Sequence, residues 1–303
     1  MPIDMTNRLI DRICQVFVGK LKEPALTRRW YIPLTTMALL LGSWLAAGSA
    51  SAAPLGAHSA AQRPAAAVAA GAGFTPGGRL IGPGGQARPS APGAVDAEVG
   101  SSNWSGYAAT GADGAFTSVS ASWTEPTATC SSGGSAQYAA FWVGLDGYNS
   151  ASVEQTGTDS DCVGQTPSYY GWYEMYPAAP VFFSNPVQPG DALSASVTFS
   201  GTQTYTLVLR DSTEGWTQTI TQDEAGLARS SAEVITEAPS SNTGVLPLAD
   251  FGTVNYADAA ANGTALASLN PTEIVMVDGS GLQKDSTSAI SGGAFSNTWI
   301  QST

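Results

Sequence analysis

Four short stretches put polar and aromatic side chains where an ordinary strand would carry apolar ones. In the run Tyr169 to Tyr176, alternation sets Tyr170, Trp172, Glu174 and Tyr176 on one face. A carboxylate among three aromatics is not a plain solvated face, and a wide aromatic face with polar handles suits a groove for an extended polymer. In Ser231 to Glu237, Glu233 and Glu237 share a face around Ile235; in Phe141 to Gly147, Trp142 and Asp146 fall together. Gln155 stands in the short run Val153-Glu154-Gln155-Thr156-Gly157. Taken singly, each has a plainer reading, a solvated Glu or a surface Gln. Taken together they describe a groove with carboxylates able to do acid and base work on water. Spacing alone does not decide between peptide and sugar chemistry.

Composition removes other chemistries. The chain has 303 residues, 12% of them charged, and one histidine, His58. Residues 101–303 therefore hold no imidazole, which excludes a Ser-His-Asp or Cys-His triad and any His-ligated zinc or iron site. Cys130 and Cys162 are too few for a four-cysteine zinc site, and no metal or cofactor is called for. Beyond residue 100 only Arg210, Arg229 and Lys284 oppose nineteen acids, a net charge of −16. Such a surface repels phosphate backbones, so no nucleic-acid partner is expected. There is no Asp-Thr-Gly or Asp-Ser-Gly motif of the aspartic proteases, and Asp278-Gly279-Ser280-Gly281 reads as a hairpin turn.

The elements that must position these residues read as strands. Period-two runs recur at Phe116–Trp123, Gln137–Leu145, Tyr169–Tyr176, Ala192–Phe199, Thr204–Arg210, Trp216–Thr221, Ala232–Glu237, Asp250–Tyr256 and Glu273–Val277. Turn signals such as Gln188-Pro189-Gly190-Asp191 separate them, and no stretch carries a 3.6-residue apolar stripe over three turns. This predicts an all-β domain over residues 99–303, an antiparallel sandwich or barrel. In a secreted chain Cys130 and Cys162 are expected to form a disulfide closing a loop of about 30 residues, worth roughly 3 to 4 kcal/mol in the loop-entropy model. A cysteine nucleophile is not expected, since no His or nearby Lys would lower the thiol pKa.

Residues 1–52 read as a secretory signal with a long basic N-terminal region, an apolar stretch around Met37–Ala47 and a cleavage site after Ala52. The length of the basic region leaves room for a start codon later than Met1. The apolar run is shorter than a spanning helix needs and is interrupted by Gly42 and Ser43, so no stable membrane association is expected after processing. Residues 53–98 are mostly Ala, Gly and Pro and read as a pro-segment or a linker, disordered when alone. Their Arg63, Arg79 and Arg88 could dock on the acidic domain and release when carboxylates protonate.

The blocks Ser102-Asn103-Trp104-Ser105-Gly106, Trp142 to Gly147, Glu154-Gln155-Thr156-Gly157, Tyr170 to Pro177 and Ala232 to Glu237 resemble, in order and spacing, the glutamic peptidases, the eqolisin or G1 family. The similarity covers nearly all of residues 101–303 and looks closer to bacterial members than to fungal ones. It implies a secreted, pepstatin-insensitive acid endopeptidase, a monomer made with a signal and a pro-segment, acting extracellularly on proteins or peptides. It also implies a single catalytic domain folded as a concanavalin or jelly-roll-like sandwich of two antiparallel sheets. The family's catalytic Gln falls on Gln155 and its catalytic Glu on Glu237; Trp104, Trp142, Asp146, Asp159 and Glu174 match positions lining or supporting the cleft. Where fungal members have Asp, this chain has Tyr170, so no hydrogen bond from such an Asp is available, and a changed pH optimum or subsite preference is expected.

The chemistry fits that resemblance. Amide hydrolysis without histidine or metal needs a base for water, a proton donor for the leaving nitrogen and a stabiliser for the oxyanion. Ionised Glu237 can take a proton from water and return it to the amine, while the Gln155 amide offers an acceptor for the water and a donor for the oxyanion. A carboxylate base works in acid, and a domain with few cations avoids positive self-repulsion there, losing stability as pH rises. The alternative is a carbohydrate-active sandwich, a glycosidase using Glu174 and Glu237 or a sugar-binding module stacking on Tyr170, Trp172 and Tyr176. That reading leaves Gln155 without a role. A structural or adhesion protein would show no cleft.

Overall fold

The computed structural model describes residues 74–75, 78–81, 98–131 and 134–303. The expected signal over 1–52 and most of the 53–98 segment lie outside the described residues.

Two eight-stranded sheets face each other. The first, which carries the candidate site, runs in the order β2 (Glu98–Ser101), β17 (Thr272–Met276), β3 (Trp104–Thr110), β12 (Ser231–Glu237), β5 (Ala140–Leu145), β6 (Val153–Val163), β7 (Thr166–Tyr176), β8 (Val181–Phe182). The second runs β11 (Trp216–Asp223), β10 (Thr204–Asp211), β9 (Ala192–Ser200), β4 (Ser118–Thr124), β15 (Thr253–Ala261), β19 (Phe295–Trp299), β18 (Asp285–Thr287), with β16 (Thr264–Ala265) paired to β15. Every pairing is antiparallel except β2 with β17. A small third sheet joins β1 (Phe74–Thr75), β13 (Ser240–Ser241) and β14 (Gly244–Val245). The only helical turn among the described residues is a 3-10 turn at Leu266–Leu269, and none of their helices is long and apolar enough to cross a membrane.

Alternation sorts each strand of the first sheet into two faces. Ala232 and Val234 of β12, with Phe141, Val143 and Leu145 of β5, point into the space between the sheets, where Val119, Trp123, Val197, Leu207, Leu209 and Tyr256 of the second sheet meet them. The other face carries a second buried cluster of Trp104, Trp142, Tyr170, Trp172 and Ile235. The site sheet is therefore covered on both sides in its middle, so β5 and β12 are buried along their whole length. The expected disulfide joins Cys130 to Cys162, 32 residues apart, tying the segment after β4 to the end of β6.

The expected strands are present, with ends moved by a few residues: the Asp250 run, for example, becomes Thr253–Ala261. The eleven-residue β6 was visible in the sequence only as the short run around Gln155, because most of its side chains are polar, yet ten of its eleven residues are buried. Its core-facing hydroxyls explain this, since Thr158 and Ser160 donate to buried Glu125 at 2.5 and 2.7 Å. The strands at Glu98–Ser101, Trp104–Thr110, Asp285–Thr287 and Phe295–Trp299 escaped the sequence reading. Asp278 to Gly281 does form a turn, closed by the Gly281 N–H donating to the Asp278 carbonyl at 3.1 Å.

Gly157 of β6 lies opposite Trp142. A Cβ there would stand 2.1 Å from the Phe141 carbonyl oxygen and 2.5 Å from the Trp142 Cβ. Gly157→Ala is therefore expected to destabilise the domain by about 3 kcal/mol through overpacking, a change that chemical denaturation at acid pH would read directly.

Candidate active site

Three strands of the first sheet bring the chemistry together. Gln155 on β6 lies opposite Gly144 on β5 and Glu174 on β7, while Glu237 ends β12 opposite Trp104 on β3 and Ala140 on β5. Gln155, Glu174 and Glu237 are all fully buried. The Trp142 indole links the two places. Its Nε1 donates to Glu237 Oε2 at 2.9 Å, and its Cζ3 lies 2.8 Å from where a Cβ on Gly144 would be, a point 3.2 Å from the Gln155 Cβ. Gly144 thus leaves the space in which the ring that holds Glu237 fits beside the Gln155 side chain.

Glu237 collects N–H donors. Besides Trp142, Oε1 accepts from Asn103 Nδ2 at 3.2 Å and from the Gly78 amide at 3.1 Å. Trp104 packs edge-on against Trp142 at 4.9 Å; its indole lies near enough to favour the Glu237 anion, although its Nε1 makes no close hydrogen bond. Burial outweighs these donors and pushes the Glu237 carboxyl well above its ordinary range. Glu174 is pushed up too, first by burial and then by the charge of Glu237, while the Gln155 Nε2–H, donated to Glu174 Oε2 at 2.8 Å, pulls it back in part. Gln155 Oε1 and Glu174 Oε1 are buried without a hydrogen-bond partner among the described residues. The Gln155 amide is thereby held at one N–H, with its oxygen and second N–H left for something in the cleft.

The remaining sequence-predicted residues stand one layer behind. Asp159 accepts from Trp172 Nε1 at 2.6 Å and from the Tyr170 hydroxyl at 3.1 Å, and the same hydroxyl contacts Asp161 Oδ2. One phenolic proton cannot serve two carboxylates at once, so one of the two acids must carry a proton for both contacts to be hydrogen bonds. Burial raises both, Asp161 to about 8. Tyr170 thus turns to Asp159 and Asp161. Asp146, at a positive φ of 71°, accepts the Arg229 and Ser230 amides at 2.6 and 2.9 Å and anchors the chain entering β12. Glu233 is fully buried and pushed well above its ordinary range, first by burial and then by the charges of Asp146 and Glu154.

Asn103 escaped the sequence reading, although it lies inside the quoted Ser-Asn-Trp-Ser-Gly block. So did the stretch Gly78–Ile81, which lies in the cleft with Leu80 buried beside the tryptophans. Of the three arginines expected to dock electrostatically, only Arg79 lies among the described residues. Arg79 is exposed, and backbone hydrogen bonds and Leu80 hold the stretch; Arg63 and Arg88 lie outside the described residues. An open depression also lies on the second sheet, beside Ser122, Ser194 and Arg210.

A two-sheet sandwich with an amide and two carboxyls under an indole lid defines a histidine-free hydrolase of the glutamic peptidase type. Residues 102–299 match the Peptidase A4 family, and the chain belongs to it. Aspergillopepsin-2 of Aspergillus niger is 29% identical over 226 residues, 66% of this chain and 78% of that protein. Among solved structures, scytalido-glutamic peptidase with a transition state analog inhibitor superposes with a TM-score of 0.57 at 28% identity, covering 66% of this chain and 98% of that one. SCP-B, an eqolisin in complex with the tripeptide Ala-Ile-His, gives 0.55 at 26%, with the same coverage.

The buried carboxyls set a pH dependence. Burial lifts Glu125 to about 8, Glu154 to about 9 and Asp285 to about 7. The folded chain thus holds protons that the unfolded chain releases near pH 4. Their stabilisation is full below about pH 4 and is lost as pH rises through these folded values. The melting temperature is expected to fall from pH 3 to pH 8 in a calorimetric series; a flat profile would contradict the assignment.

Proposed function

We propose that this chain is a secreted acid endopeptidase that hydrolyses peptide bonds with Glu237 as base and acid and Gln155 as stabiliser of the oxyanion. The observation that carries this reading is the Trp142 bridge: one indole holds Glu237 at Nε1 and lies beside Gln155 at its far edge. Membership of a peptidase family supports endopeptidase activity, and relatives captured with a transition state analog and with a tripeptide favour a peptide in the cleft.

Of the two acids, Glu237 receives two N–H donors from the domain itself, Asn103 and Trp142, and Glu174 one, so the negative charge settles on Glu237 while Glu174 keeps a proton. Ionised Glu237 takes a proton from the attacking water, whose second hydrogen the Gln155 Oε1 accepts. The free N–H of the same amide then meets the oxyanion, and protonated Glu237 returns its proton to the departing amine. Activity needs one proton on the Glu174 and Glu237 pair, so the rate profile is a bell in acid whose limbs belong to the pair. The carbohydrate reading is not favoured, because Gln155 occupies the Glu174 carboxyl that a glycosidase would need free. We assign Trp104, Trp142 and Glu174 to the cleft wall, and Asp146, Asp159 and Tyr170 to its support. Secretion, pepstatin insensitivity and a monomeric state belong to the same proposal.

Hydrolysis of a quenched peptide from pH 2 to 8 with pepstatin present tests it. Glu237→Gln should lower kcat by about 10³ to 10⁴ and Gln155→Ala by about 10² to 10³, both with the fold retained. Wild type inactive at every pH, after removal of residues before the domain, would sink the proposal.

A further inference from the structure

The stretch Gly78–Ile81 crosses the cleft with its backbone answered at almost every turn. The Gly78 N–H donates to Glu237 Oε1 at 3.1 Å, and the Arg79 carbonyl accepts from Asn103 Nδ2 at 3.1 Å. The Leu80 N–H donates to the Gly147 carbonyl at 3.2 Å, and the Ile81 N–H to Asn103 Oδ1 at 2.8 Å. The Ile81 carbonyl accepts from the Ser102 amide at 2.8 Å and from Ser101 Oγ at 2.9 Å. Upstream, Phe74–Thr75 pairs with Ser240–Ser241, in the hairpin that follows Glu237 in the chain. Only one side chain of Gly78–Leu80 is used: Leu80 is 3% exposed in the cluster of Trp104, Trp142 and Trp172, while Arg79 points to solvent.

These contacts go to backbone atoms that any peptide possesses. Asn103 is the centre of the grip. Its oxygen takes one backbone N–H, and its two amide hydrogens go to the Arg79 carbonyl and to Glu237, which uses the whole carboxamide. Asn103 thereby ties the position of the bound chain to the position of the candidate base. The Gly78 N–H occupies Glu237 directly, at the oxygen that would otherwise face an attacking water, so the pose is not a reactive one.

We propose that Gly78–Ile81 lies on the substrate track and closes it in the full chain, with Asn103 as the residue that grips substrate backbone and the Leu80 pocket as a subsite for a branched aliphatic side chain. The inference rests on the peptidase reading and gives that site its substrate class, peptides carrying Leu or a similar residue beside the point of attack, and its inhibition in cis.

Binding without turnover tests it. Full-length Glu237→Gln keeps an acceptor for the Gly78 amide and does not hydrolyse. A fluorescent octapeptide with the sequence of residues 74–81 is titrated against it, with polarisation as the readout. The expected result is weak binding to Glu237→Gln and at least about tenfold tighter binding to Glu237→Gln with Leu80→Lys, which evicts the cis stretch. Arg79→Ala in place of Leu80→Lys should leave binding weak. The gain should vanish when the octapeptide itself carries Leu80→Lys, and when Asn103→Ala is added to a protein whose melting curve remains intact. Equal binding with and without Leu80→Lys in the protein, or no binding by either, overturns the proposal. A peptide that binds to a chain that never cleaves would instead sink the peptidase reading and leave the track standing.

Discussion

Burying carboxyl groups in a domain almost without cations is the constraint on which the rest depends. Eleven of the nineteen acids after residue 100 are buried, against three Lys and Arg, of which only Lys284 is buried. An isolated carboxylate in a protein interior carries a desolvation penalty far larger than a hydrogen bond returns, so such a group either takes a proton or gathers donors. Both solutions occur. Glu125 gathers Thr158, Ser160 and Trp123, Asp146 gathers two backbone amides, and Asp159 and Asp161 share a tyrosine hydroxyl with a retained proton. The low charge of the sequence is thus less a surface property than an interior one. The stability expected in acid rests on protons held inside as well as on the scarcity of cations.

The same constraint makes the site. Within the site Glu237 receives more donors than Glu174, which is the one placed to keep a proton, and Gln155 has one N–H spent on orientation. Tryptophan is the right residue to connect them, because an indole offers a donor at one edge and a large apolar body that excludes water along the rest. Gly144 and Gly157 make room for that body. They bear no chemistry, yet without their missing side chains Trp142 would not reach Glu237.

The sandwich class, the disulfide, the shared face of Trp172 and Glu174, and the pairing of Glu233 and Glu237 around Ile235 all follow from period two and cysteine count, which are local properties of the chain. Local pattern failed at β6, whose buried polar run looked like surface because its partners lie on β4, β5 and β7. It failed also at Asn103 and Gly78, since a lone Asn beside a Trp and a glycine in an Ala/Gly/Pro tract carry no periodic signal.

The residue types and motif order alone determined an all-β, histidine-free domain and pointed to Gln155 and Glu237 as the proposed reactive pair, because chemistry follows from functional groups and alternation follows from the backbone. Only the tertiary structure decided that Tyr170 serves Asp159 and Asp161, and that the stretch Gly78–Ile81 lies against Glu237. Those outcomes depend on which strands become neighbours and how far each side chain reaches, distances that close only when residues more than a hundred positions apart, such as Gly78 and Glu237, are folded together.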